Sequence, residues 1–219
     1  MQNNHSSKHS NLNNLDRHKK PAIFIDRDGT IIEYVAYLNK LENLVLYPFS
    51  YEAIAMINRS DYLGIVVTNQ PVVAMNLCDI NMVEKMHNKM ESLLKQHGCY
   101  LDHIFFCPHH PDKRHLSNNE YFDNVKLEEE ENLIYNKECE CRKPAIGMIE
   151  KAKSIYNIDM DNSWIIGDTT RDIQTGINAG IKTALVRTGK AGTDNRYKVT
   201  PDFVFDNLKE AVNFIINCS

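Results

Sequence analysis

Nothing in the sequence approaches the roughly 18 to 20 consecutive apolar residues that a membrane-spanning helix requires. The opening stretch, Met1 to Lys20, also lacks the apolar run of a secretory signal peptide, so the chain is expected to work in the cytoplasm without a membrane partner. Positive charge is not in excess either. The formal net charge of -4 sets aside a broad basic surface of the kind that holds nucleic acid by neutralising its phosphates. An aromatic and basic groove pattern is missing as well, so no nucleic-acid partner is expected, and any phosphate-binding cations must be local. No repeat period is visible. In a reducing compartment the six cysteines are expected as thiols or metal ligands rather than disulfides.

What is present suits one compact domain with a sizeable core: 219 residues, 42% of them hydrophobic and a quarter charged. Residues 1–20, rich in Asn, Ser, His and Lys, read as a flexible tail, because they offer too little apolar surface to offset the entropy of ordering. From Pro21 onward short apolar runs alternate with amphipathic segments, the pattern of a Rossmann-like α/β domain, 21–219, with a mainly parallel sheet and helices on both faces. Strands are predicted at Ala22–Ile25, Leu63–Val67, Leu101–Phe106, Trp164–Gly167, Thr183–Val186 and Phe203–Phe205. Helices are predicted at Glu52–Arg59, from Asp79 to about His97, and at Ile146–Tyr156, Arg171–Ala179 and Leu208–Ile216. The apolar stripe of the second helix, Met82, Val83, Met86, Met90, Leu93 and Leu94, reads as core. Between residues 108 and 138 periodicity disappears and an acidic run appears, which marks a long insertion rather than a large cap domain.

Chemistry gathers at the predicted strand ends. Asp26-Arg27-Asp28-Gly29-Thr30 follows the first strand directly, so both carboxylates lie where open α/β sheets hold their ligands, and a period near two lets Asp26 and Asp28 face one crevice. Gly29 allows the chain to turn away sharply there. Thr68-Asn69-Gln70 ends the second strand with a hydroxyl and amides suited to phosphate oxygens. Arg142-Lys143-Pro144 supplies positive charge before a helix, and Gly167-Asp168 ends another strand with a third carboxylate.

These four segments, in this order, resemble the four motifs of the haloacid dehalogenase superfamily, and the likeness runs from Pro21 to the C-terminus. Within it, Cys107-Pro108-His109-His110-Pro111 followed by Cys139-Glu140-Cys141-Arg142-Lys143-Pro144 is similar to the heptose bisphosphate phosphatases and their histidinol-phosphatase relatives. The resemblance implies a phosphatase that takes the 7-phosphate from D-glycero-D-manno-heptose 1,7-bisphosphate on the way to nucleotide-activated heptose; histidinol phosphate is the alternative substrate, and a catalytically silent binding protein of the same fold the non-enzyme alternative. It implies Asp26 as nucleophile, Asp28 as acid and base, and Mg²⁺ held by Asp26, the Asp28 carbonyl and Asp168. Thr68, Asn69 and Gln70 would orient phosphoryl oxygens, Lys143 would neutralise developing charge, and Arg142 would take a second phosphate or a sugar oxygen. Tyr34 and Tyr37 lie where the family contacts sugar, or in a solvated hairpin. Asp172 either supports the metal site or makes a helix-surface salt bridge.

Cys107, His109, Cys139 and Cys141 are three thiols and an imidazole, the ligand type of a closed structural zinc site that would pin the ends of the insertion. The alternative is a pair of exposed loop thiols beside a polar turn. His110 reads as solvated or outside the ligand set, and Cys78, Cys99 and Cys218 receive no function. Two departures from the family pattern stand out: Pro71-Val72 where Ser-Gly is usual, and Thr169-Thr170 where Lys often follows the Gly-Asp. Thr169 brings no charge. A monomer or weak oligomer is expected.

Overall fold

The computed structural model describes residues 19–111 and 134–217. The proposed tail up to residue 18, residues 112–133 of the insertion, and Cys218 lie outside the described residues.

Six parallel strands form one sheet in the order β3-β2-β1-β4-β5-β6. They are β1 (Lys20–Ile25), β2 (Leu63–Asn69), β3 (His103–Cys107), β4 (Ile158–Gly167), β5 (Lys182–Val186) and β6 (Phe203–Phe205). Central strands are covered on both faces, which is why they read as unbroken apolar runs. Alternation then sorts the side chains. Ile23 and Ile25 join the core beneath α1 (Pro48–Asn58), α2 (Ile80–Gln96) and α5 (Leu208–Asn217), whereas Ala22 and Phe24 join the core beneath α3 (Gly147–Ile155). On that second face Gly176 lets α4 (Thr170–Ala179) lie against Ile165 and Thr183.

Caps explain several boundaries. Asp79 accepts from the Met82 amide at 2.7 Å to start α2, as its position predicts. Gly180, in the left-handed region at φ 67, stops α4. α1 begins four residues before the prediction because Pro48, with its preset φ, serves as a first helical residue. β4 begins at Ile158 rather than Trp164, since the polar stretch Asp159–Ser163, poor in strand formers, pairs beside Lys20 and Pro21 across a register shift.

The functional consequence lies in the connectivity. From β1 the chain steps outward to β2 and β3, then returns to β4 on the other side of β1, so the direction of winding reverses between β1 and β4. A crevice opens outside the carboxyl ends of the strands at such a point. Asp26 and Asp168 are the residues that follow those two strands.

Candidate active site

Asp26, Asp28, Thr68, Lys143 and Asp168 all line one crevice at this switch point. Lys143 is buried at 2% exposure and places its ammonium 3.0 Å from Asp26 Oδ2 and 2.5 Å from Asp172 Oδ1. Burial works against that ammonium, but Asp172 and Asp26 outweigh it and hold the pKa above the ordinary lysine value. Burial raises Asp26 to about 7, helped by the nearby Asp172 carboxylate and opposed by Lys143. Asp168 rises further, to about 8, from burial and from the charges of Asp172 and Asp26. Too much negative charge is gathered here for one lysine.

A cation would relieve it. Carboxylate oxygens of Asp26, Asp168 and Asp172 lie within 4.8 Å of one another. Asp168 Oδ2 accepts from the Lys190 amide at 2.7 Å, while the buried Oδ1 has no hydrogen-bond partner. An orphaned buried carboxylate oxygen beside a second acid is what a hard divalent cation would satisfy. The approach to Asp168 depends on two glycines with positive φ, Gly29 at 77 and Gly189 at 58; a Cβ at either would collide with the Asp168 carboxylate.

Asp172 is not a surface residue. It is fully buried, takes the Lys143 ammonium, and closes a capping box with Thr169 at the start of α4. The helix-surface salt bridge is thereby corrected: a carboxylate at that depth needs a charged partner, and Lys143 is it. Thr169 contributes a cap in place of a charge.

Asp28 is held from behind by Arg27, whose role the sequence reading missed. Arg27 is fully buried, donates to both Asp28 carboxylate oxygens at 2.9 Å and to Gln70 Oε1 at 2.7 Å, and lies 3.1 Å from His87 Nε2. Gln70 Nε2 in turn donates to Asp28 Oδ2 at 2.7 Å and to Thr68 Oγ1 at 2.9 Å. His87, buried with Arg27 beside it, is pushed down to about 3 and stays neutral, so it can accept from the guanidinium. A sequence signal existed: His87 sits on the buried α2 face with Val83, Met86, Met90 and Leu94. Asn69 lines the crevice and also has a structural bond. Its carboxamide grips the Lys143 main chain at both ends, donating to the carbonyl at 3.1 Å and accepting from the amide at 3.0 Å.

Arg142 lies on the crevice wall and donates to the His109 carbonyl at 2.9 Å. Tyr34 and Tyr37 line the mouth, each 42% exposed, and the Lys190 ammonium lies 5.1 Å from the Tyr34 ring centroid. Arg171, Lys190 and Arg196 also line the crevice; the sequence reading gave them no role.

Beside the crevice the four atoms of the thiol cluster converge. Cys107 Sγ lies 3.5 Å from Cys139 Sγ and 3.1 Å from Cys141 Sγ, and Cys141 Sγ lies 3.3 Å from His109 Nδ1. Disulfide sulfurs sit at about 2.05 Å, and these cysteines are free. The edges of a tetrahedron with metal–sulfur bonds of about 2.3 Å are roughly 3.8 Å, so the set is close to the spacing that a tetrahedral metal would draw it into. Hydrogen bonds from Cys107, Cys139 and His109 pull Cys141 down to about 5, and the same exchange with Cys141, together with burial, drives Cys107 up. His110 lines the crevice rather than joining the cluster.

A family model described as HAD-hydrolase-like matches residues 140–211. The D-glycero-beta-D-manno-heptose-1,7-bisphosphate 7-phosphatase of Photorhabdus laumondii is 34% identical over 198 residues, covering 90% of each chain. The enzyme of the same name from Escherichia coli K12 is 31% identical over 191 residues, 87% of this chain and 91% of that one. Among solved structures, a D,D-heptose 1,7-bisphosphate phosphatase from B. bronchiseptica, complexed with magnesium and phosphate, superposes with a TM-score of 0.74 at 27% identity. It covers 91% of this chain and 99% of that one.

Proposed function

The chain belongs to the D-glycero-D-manno-heptose 1,7-bisphosphate 7-phosphatase family of haloacid dehalogenase-like hydrolases, and we propose that it removes the 7-phosphate of that sugar through an aspartyl-phosphate on Asp26. It is a phosphoric monoester hydrolase. The observation that carries the reading is the pairing of Asp26 with a buried lysine next to an orphaned Asp168 oxygen.

Asp26 attacks phosphorus, and Lys143, 3.0 Å away, favours the ionised form of the attacking carboxylate and takes up charge that develops on the phosphoryl oxygens. Asp28 gives a proton to the departing sugar oxygen and later takes one from the water that opens the aspartyl-phosphate. Arg27 and Gln70 fix its carboxylate for both steps. Thr68 offers its hydroxyl to a phosphoryl oxygen. Asn69, by holding the Lys143 main chain, positions the ammonium, and Tyr34 and Tyr37 form the sugar side of the mouth. Asp26, Asp168 and the Asp28 carbonyl would hold Mg²⁺, which supplies charge neutralisation between nucleophile and phosphate dianion.

Cys107, His109, Cys139 and Cys141 hold zinc in our reading, which ties the insertion to β3 and sets Arg142 and Lys143 against the crevice. Reduced ligand thiols fit work in the cytoplasm, as a monomer or weak oligomer acting on a small sugar phosphate without nucleic acid or membrane. No described helix is long and apolar enough to cross a membrane.

The test is a steady-state panel of heptose 1,7-bisphosphate in both anomers, heptose 7-phosphate and histidinol phosphate. The expected result is a kcat/KM at least about tenfold higher for the bisphosphate than for the 7-phosphate, because remote binding energy orients the reacting group. Histidinol phosphate outrunning both sugars would refute the heptose assignment and leave the phosphoaspartyl chemistry standing.

A further inference from the structure

We propose that Arg171 and Arg196 join Arg142 in a seat for the second phosphate of the substrate, and that Thr170 and Asp194 set the position of that seat. The inference rests on the sugar bisphosphate reading above. The three arginines come from three segments: the loop before α3, the first turn of α4, and the loop between β5 and β6. All three line the crevice that opens over Asp26.

Their placement is costly without an anion. Among the described residues, no carboxylate forms an ion pair with any of the three. Arg142 is half-buried, and Arg171 and Arg196 line the same crevice, so three like charges face one pocket. Arg171 stands in the first turn of α4, where the helix dipole disfavours a cation and favours an anion. One phosphate dianion at this wall reverses every one of these penalties, and guanidinium forks suit its oxygens.

Asp194 lines the same crevice, and its hydrogen bonds run to Thr170 rather than to the arginines. Asp194 accepts from the Thr170 amide at 2.7 Å and from the Thr170 hydroxyl at 2.8 Å, and Thr170 Oγ1 accepts from the Tyr197 amide at 3.2 Å. These bonds fasten both sides of Arg196 to the start of α4, one residue from Arg171. Asp194 and Thr170 thus act as positioning residues: they hold the Arg196 segment against the first turn of α4, and neither forms an ion pair with an arginine.

The experiment compares kcat/KM for heptose 1,7-bisphosphate with kcat/KM for heptose 7-phosphate in wild type, Arg171→Gln, Arg196→Gln, the double variant and Thr170→Val. Each arginine is expected to account for about a tenfold part of the bisphosphate preference, the size of one charge-assisted hydrogen bond. Thr170→Val should lower the preference through KM for the bisphosphate more than through kcat, which a general loss of structure would not do. A double variant that keeps the wild-type preference overturns the proposal while the heptose reading stands. Should wild type turn over neither sugar, the heptose reading fails separately, and the seat is judged by inhibition of nitrophenyl phosphate turnover by fructose 1,6-bisphosphate and fructose 6-phosphate. A bisphosphate advantage that the double variant loses supports the seat; no advantage, or one that survives, overturns it.

Discussion

The carboxylate crevice and the thiol cluster meet at Arg142 and Lys143, yet different forces hold them. The crevice groups stand on the ends of β1, β2 and β4 in the middle of the sheet, between two apolar cores. Its backing is buried: Arg27, Gln70, Lys143 and Asp172 are each 2% exposed or less. In the thiol cluster only Cys107 comes from a strand, and Cys139, Cys141 and His109 come from partly exposed loops. Burial of the surrounding chain thus positions the crevice groups, whereas the neighbouring loop, in the proposed reading, depends on its ligands sharing a cation. A chemical lesion and a stability lesion should therefore separate along this line.

The largest effect is expected from Asp26→Asn, which keeps the shape but removes the nucleophile. Turnover should fall by about 10⁴-fold or more, with the circular dichroism spectrum unchanged. Activity within tenfold of wild type, once deamidation is controlled for, would take Asp26 out of the mechanism.

Cys139→Ser or Cys141→Ser should show the opposite profile. Metal analysis should find about one zinc per wild-type chain and less in the variants, and the melting temperature should drop by about 5 to 15 °C, since the site lends its binding energy to folding. Enzyme that remains folded at low temperature should retain far more activity than Asp26→Asn. Zinc-free wild type with variants that melt identically would show that the loop is held without metal.

The smallest effect sharpens the contrast from the crevice side. The unfolded chain protonates His87 near pH 6.5, whereas the folded chain keeps it neutral down to about 3. Below pH 6.5 the unfolded state therefore binds more protons, and stability falls as pH falls, by about 2 kcal/mol at pH 5 from this group alone. Removing it in His87→Gln should flatten the melting-temperature profile between pH 7 and 5. An unchanged slope would mean that His87 does not carry the acid sensitivity.

Legibility from sequence followed a similar divide. Asp26, Asp28, Thr68, Lys143 and Asp168, which share one crevice, could be picked out because each lies at or just beyond the end of an apolar strand or ahead of a helix. Cys107, His109, Cys139 and Cys141 were readable from ligand type. Arg27 escaped because it lies between two acids that face the crevice, and what covers its own side depends on how α2 packs. Asn69 was read toward phosphate because its residue type suits an oxyanion; its grip on the Lys143 main chain depends on a segment 74 positions away and could not be read. Arg171 and Arg196 were invisible for a stronger reason: the loop carrying Arg196 has no periodicity, and its anchor to Thr170 spans 24 positions.

By itself, then, the sequence determined the α/β layering, the strand ends that carry acids, and two candidate ligand sets for metals, because hydrophobic period and residue chemistry are local properties of the chain. Tertiary structure alone decided which groups share charge. The reversal of winding between β1 and β4 brings Asp26, Asp168, Asp172 and Lys143 into one buried set, and the docking of the loop after β5 sets three guanidinium groups around its mouth. Electrostatic interaction falls off with distance and deepens with burial, and neither quantity is written along the chain.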